Sequence, residues 1–173
     1  MDGARFTNKE KTEANLSRAA IFPLTRLMKF SSIFLRFALG SSFLSAVADR
    51  FGLWGPYGHP NVAWGQYARF VDYTAELNWF LPAAAIPFLA GIATAAEILF
   101  GLLLVLGWKT RITALLSGVL LTSFALTMGV ALGIKAPLDF SVFSAAGGAL
   151  LLATCADFPF SLDEFLSEDG QKK

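Results

Sequence analysis

PAAAIPFLAGIATAAEILFGLLLVLG, residues 82–107, decides the fold: an apolar run interrupted by a single charge, Glu97. About 20 predominantly apolar residues carry a helix across the hydrocarbon core of a bilayer, and this run is long enough to cross with tilt. Pro82 and Pro87 sit near its start, where a missing amide donor does least harm. Length and Leu/Ala content read as helix, because the strands of a membrane β-barrel are shorter and alternate in polarity.

Outward from this run, residues 30–49, 112–133 and 137–156 meet the same length requirement. The expectation is an all-α, integral membrane four-helix bundle with spans at 30–49, 82–107, 112–133 and 137–156. The whole chain agrees with it. Of 173 residues 55% are hydrophobic, with 14 Lys plus Arg against 13 Asp plus Glu, and the mean hydropathy is +0.56. A small soluble domain has much surface for its volume and needs more charge to cover it. A net charge of +1 gives no reason to expect nucleic acid as a partner. The lone Cys155 excludes an intrachain disulfide and a dithiol motif, and the lone His59 excludes a bis-histidine haem held by one chain.

Residues 50–81 form the one long connector. GPYGHP, residues 55–60, reads as a turn-rich loop. Beyond it Asn61 is a candidate N-cap, and Trp64, Ala68, Val71, Ala75 and Trp79 recur at helical spacing, with Gln66, Arg69, Asp72 and Glu76 largely elsewhere. This predicts an amphipathic helix in the first extracytoplasmic loop, lying along the membrane surface or capping the bundle. It serves either as an interfacial anchor or as a substrate lid. Trp54, Trp64, Trp79 and Trp108 read as interfacial anchors.

Charge sets the topology. Arg5, Lys9, Lys11, Arg18, Arg26 and Lys29 precede the first span, Lys109 and Arg111 join the second to the third, and Lys172 and Lys173 end the chain. The positive-inside rule places these segments and both termini in the cytoplasm, in a bacterial-type cytoplasmic (inner) membrane. Three segments follow: a polar basic cytoplasmic stretch at 1–29, the membrane domain at 30–156 and a cytoplasmic tail at 157–173. In the tail Ser161 and Glu164 fit a capping box. Ala46-Val47-Ala48 resembles a signal-peptidase site. The segment before it is too long and too mixed in charge for a signal peptide, and Arg36 interrupts the apolar run, so the expectation is that it stays uncleaved.

Charges inside a membrane are expensive. Glu97 is the clearest, with the small residues Ala93, Thr94 and Gly101 on its helical face. Arg36 lies about two turns into the first span. Depth counting brings the two side chains within reach, so an Arg36–Glu97 pair is expected, either fixing helix register or serving as a quinone or proton site. Asp49, Arg50, His59 and Asp139, with Lys135, fall at the outer face, where they could form a polar pocket or remain ordinary interfacial charges. Gly129 and Gly133 make a GxxxG pair suited to close helix packing, within the chain or in a homo-oligomer. Cys155 reads as a small buried apolar residue. No P-loop, GxGxxG, metal-ligand cluster or Ser-His-Asp set occurs. No metal and no intrinsic cofactor is expected.

FLRFALG (34–40), ADRFGLWGP (48–56), AEILFG (96–101), LGWKTRITA (106–114) and KAPLDFSVFSA (135–145) resemble, in order and spacing, a DoxX-family membrane protein. The resemblance implies a four-helix membrane bundle related to the membrane subunits of thiosulfate:quinone oxidoreductase, with Arg36, Asp49, Arg50, Glu97 and Asp139 as the polar positions within the recurring segments. It implies quinone as ligand and a soluble redox protein as partner, beside the lipid bilayer. The chain has no redox group of its own, so it is not a self-sufficient enzyme. Three functions compete: a small membrane subunit or accessory of a quinone-linked oxidoreductase in sulfur or oxidative-stress chemistry, a small transporter or channel-like oligomer with Glu97 as its working carboxylate, and a non-catalytic scaffold for a soluble redox partner.

Overall fold

The apolar segments fold as helices in the computed structural model, which describes the backbone of residues 8–170 and the side chains of 25–167. Helix α1 is Asn8–Arg50, α2 Tyr67–Leu77, α3 Ile86–Leu106, α4 Thr110–Ala131, α5 Lys135–Asp139, α6 Val142–Ala153 and α7 Leu162–Gly170, with a 3-10 turn at Ala83–Ala85 leading into α3. No strand occurs among the described residues. Thr25–Arg50 of α1, Ala83–Leu106 and Thr110–Ala131 are long and apolar enough to span a membrane. The protein is therefore an all-α, integral membrane helical bundle. Helix α1 is continuous across the 29/30 boundary, so the basic stretch and the first span share one helix.

Helix α3 ends where Gly107 adopts φ 70°, its N–H and that of Trp108 both donating to the Leu103 carbonyl. That left-handed cap turns the chain sharply, and α4 starts three residues on, which makes α3 and α4 an antiparallel hairpin. Helix α1 lies against α3 through two glycines. A Cβ on Gly40 would stand 2.9 Å from the Gly101 carbonyl oxygen, and one on Gly101 would stand 2.9 Å from Leu44 Cγ. Gly118 receives Leu150 of α6 in the same way. Leu39, Phe43, Leu104, Ala114, Ala149 and Leu152 form the core where α1, α3, α4 and α6 meet.

The GxxxG pair does not perform this packing. Helix α4 stops at Ala131; Gly133 lies beyond it at φ 86°, with nothing within 4 Å of its Cβ position, and Gly129 faces Ile134 and Pro137 of the following turn. The fourth span is also shorter than expected. Residues 137–156 hold the end of α5, a break at Phe140-Ser141 with Ser141 at φ 55°, and the 12-residue α6. At 1.5 Å per residue α6 covers about 18 Å, against about 30 Å of hydrocarbon. It completes the bundle by packing along α4 rather than by crossing alone.

Helix α1 stops half-way along α3. Arg36 meets Leu104 and Val105, while Arg50 meets Thr94. The part of α3 before Thr94 is covered instead by residues 51–66 and α2, with Phe70 packed on Ala90 and Ala93, and Trp64, Tyr67, Val71 and Phe124 around them. Helix α2 is amphipathic, but it starts at Tyr67 rather than just after Asn61, and it buries Phe70, Thr74 and Leu77. Asn61 takes φ 65° in a turn, and Trp79 lies past the helix end, exposed. The reason is local: Asn61 and Gly65 take φ of 65° and 64°, left-handed conformations that an α-helix cannot contain, and the amides of Ala63, Trp64 and Gly65 donate to the Asp49 carboxylate.

The α1–α3 approach yields a test. Gly40→Ala should destabilise the protein by about 1–3 kcal/mol, because backbone blocks the new methyl. Gly147→Ala, with nothing within 4 Å, should leave stability unchanged or raise it by up to about 1 kcal/mol through helix propensity. Thermal unfolding in mild detergent measures both.

Candidate functional site

The last turn of α1 delivers two charged side chains to the interior. Arg50 is 3% exposed and Glu97, at the centre of α3, is 2% exposed. Arg50 Nη2 donates to both Glu97 oxygens at 2.7 and 2.8 Å, and Nη1 donates to Thr94 Oγ1 at 2.9 Å. Thr94 in turn donates to the Ala90 carbonyl of its own helix. The guanidinium lies over the Phe70 ring, 3.6 Å from its centroid, with the Trp64 ring 5.3 Å away. Trp64 meets Phe70 edge-on at an interplanar angle of 81°. In a dry interior such a pair is held by geometry and by the hydrogen bonds that complete it. Here the acid, the hydroxyl and two aromatic faces all serve one cation. Arg50 Nε is the exception: it is buried and has no hydrogen-bond partner among the described residues.

Asp49 closes the site. One carboxylate oxygen accepts from the amides of Ala63 and Trp64 at 2.9 and 3.3 Å, the other from Gly65 at 3.3 Å. This holds the returning loop so that Trp64 covers Arg50. Gly65 itself takes φ 64°, against the backbone of Pro56 and Tyr57, a place where no side chain fits.

The expected Arg36–Glu97 pair does not form. Arg36, fully buried, gives Nε to the Leu104 carbonyl at 3.1 Å, Nη1 to Pro159 at 2.9 Å and Nη2 to Val105 and Phe160 at 3.2 and 3.1 Å. Leu104 and Val105 belong to the last turn of α3, whose carbonyls lack intrahelical donors and form the negative end of the helix dipole. Arg36 caps that end and pins the tail to it. Asp163 does the converse for α4, accepting from the amides of Lys109 and Thr110 at 2.7 Å each. The tail's capping box is present: Glu164 N donates to Ser161 Oγ, and the Glu164 carboxylate accepts from Phe160 N.

Nor do the outer-face residues converge. Asp49 and Arg50 are interior. Asp139 pairs with Lys135 within α5, both exposed, and His59 is exposed in the 55–62 turn. Trp54, Trp79 and Trp108 present exposed rings, whereas Trp64 is half-buried against Arg50. Thr94, Phe70 and the tail carbonyls escaped the sequence reading. Thr94 was in view three residues before Glu97, but carbonyl ligands have no signature in a sequence.

On the opposite face of α1 an open groove of about 1310 Å³ runs beneath the loop, walled by Phe37, Ser41, Ser42, Ser45, Asp49 and Trp54 among others. Ser41 and Ser42 donate their hydroxyls to the Ala38 carbonyl, and the Trp54 indole donates to the Ser45 carbonyl.

Three substitutions check the two arginines. Glu97→Leu alone should cost about 3–5 kcal/mol by stranding the Arg50 charge, and Arg50→Met with Glu97→Leu should recover much of that; denaturant unfolding of the cycle measures it. Arg36→Lys, whose ammonium cannot span four carbonyls, should speed hydrogen exchange across 157–165 and leave exchange at 61–66 unchanged.

No curated protein and no solved structure gives a significant match to the chain. The DoxX family model matches residues 31–130, a stretch that takes in the whole Asp49–Arg50–Thr94–Glu97 constellation. Since the match covers more than half of the 173 residues, the chain belongs to the DoxX family.

Proposed function

We propose that this DoxX-family protein is a membrane subunit or accessory of a quinone-linked oxidoreductase, in sulfur or oxidative-stress chemistry, seated in a bacterial-type cytoplasmic membrane with both termini cytoplasmic. The groove on α1 supports this reading. Its hydroxyls line α1 from Ser41 toward Asp49, about 12 Å of helix, from the level of Gly101 and Val105 to that of Glu97. Phe30, Phe34 and Phe37 continue the same exposed side of α1 toward the tail end. A phospholipid cannot bring a charged head group to mid-bilayer depth cheaply. A quinone can, since its head is neutral and its chain apolar. Ser41 and Ser42 have lone pairs free to accept from a quinol, and aromatic side chains flank the tail path. Electrons would then arrive from a soluble partner docked on the 51–66 loop, whose aromatic rings Phe51, Trp54 and Tyr57 are exposed.

A non-catalytic scaffold is the second reading, favoured by the saturation of Glu97 and Arg36 with protein partners.

Quinone content decides between them. In protein purified in mild detergent, mass spectrometry of the lipid extract should find near-stoichiometric quinone. Ser41→Leu with Ser45→Leu, which fills the groove, should lower it about tenfold, equivalent to about 1.4 kcal/mol of binding. Quinone at the membrane background in the wild type would leave the scaffold.

A further inference from the structure

Three buried side-chain atoms lack a hydrogen-bond partner among the described residues: Thr110 Oγ1, Ser117 Oγ and Arg50 Nε. The two hydroxyls are neutral rotors on a helix. The third belongs to a cation, where a missing partner costs most. Such an orphan, beside two guanidinium nitrogens that each have a partner, calls for a specific reason. The reason is not a lack of local acceptors, since Glu97 offers both oxygens and gives both to Nη2. The guanidinium is oriented so that its Nε–H is the donor held back.

We propose that Arg50 Nε–H is the docking point for the carbonyl oxygen of a neutral, lipid-soluble ligand, with Asp49 as the positioning residue that latches the loop over it. The assignment rests on the quinone reading above and deepens it to one atom. The pair Arg50–Glu97 is already neutral, so an anion would add an uncompensated charge and a cation would be repelled by Arg50. A neutral acceptor adds neither. The cover over the guanidinium is aromatic, Trp64 and Phe70, a surface on which a planar head group can stack. Access requires the loop bearing Trp64 and the Phe70 ring of α2 to move off the guanidinium. The segment that covers Arg50 is tied down by the three amides on Asp49, and Asp49 with Asn61 and Val62 also walls the groove on the other side of α1. The latch therefore stands between the lipid-open groove and the unpaired donor.

The probe is a benzoquinone bearing a decyl chain, added to the full-length protein in lipid nanodiscs with arginine labelled at 15Nε. One Nε resonance, absent from the Arg50→Lys spectrum, should shift on titration, and Arg50→Lys should weaken binding about tenfold while keeping the charge opposite Glu97. Asp49→Asn, which leaves Nε in place, should speed association several-fold by loosening the latch, with the Nε shift retained. Binding in the wild type with no Nε shift would overturn the docking point and leave the quinone reading standing. No binding at all would overturn both. An unchanged association rate for Asp49→Asn would remove Asp49 from the proposal.

Discussion

A charge buried inside a helical bundle must be neutralised where it sits, and the Arg50–Glu97 pair meets that constraint. Glu97 is fixed in the middle of α3 by its place in an apolar run. Its partner has to come from another helix at the same level. Helix α1 supplies it by ending there: Arg50 is the last residue of the helix, and the chain turns away at Phe51. The early stop of α1 follows from the same need. A longer α1 would carry its charged end past Glu97 toward the surface. Because it stops, half of α3 lacks α1 as a neighbour, and the connector and α2 fold inward to cover it. The ion pair thus explains why the long connector has a buried apolar face at all.

The other charged groups obey the same accounting at the helix ends. Arg36 has no carboxylate in contact among the described residues. It sits on the carbonyls of the α3 C-terminus, where a fractional negative charge is already present. Asp163 sits on the amides of the α4 N-terminus. Both residues hold the tail at the turn between the two helices, so one strand of tail satisfies two helix ends and shields a buried arginine. The same economy places Asp49 on three backbone amides. In each case a charged side chain serves main-chain groups that folding would otherwise leave bare.

Much of this was legible in the sequence, and the misses have causes. The helices at 82–107 and 112–133 followed from length and polarity alone, and Glu97 was found because a lone carboxylate in an apolar run has no other reading than an inward one. Its partner was misassigned because depth was counted on the premise that every span reaches both surfaces. Arg36 then stood nearer to Glu97 than Arg50 did. The long connector, with its apolar residues at helical spacing, held the contrary clue: a segment of that size with a buried face needs somewhere to bury it. The break in the fourth apolar segment stays hidden in the sequence for a different reason. Hydropathy does not register the break at Phe140-Ser141, because a left-handed serine leaves an apolar window apolar. GxxxG failed because the motif names residues and not a helix, and Gly133 falls outside one.

The two faces of the last α1 turns differ in what they ask of a ligand. On the groove side Ser41 and Ser42 already donate to the Ala38 carbonyl and offer a ligand their lone pairs. On the inner side Arg50 can only donate. A molecule that changes between carbonyl and hydroxyl oxygens on reduction would find its oxidised form favoured at the arginine and its reduced form favoured among the serines. Asp49, one residue from the arginine and part of the groove wall, holds the loop that separates them.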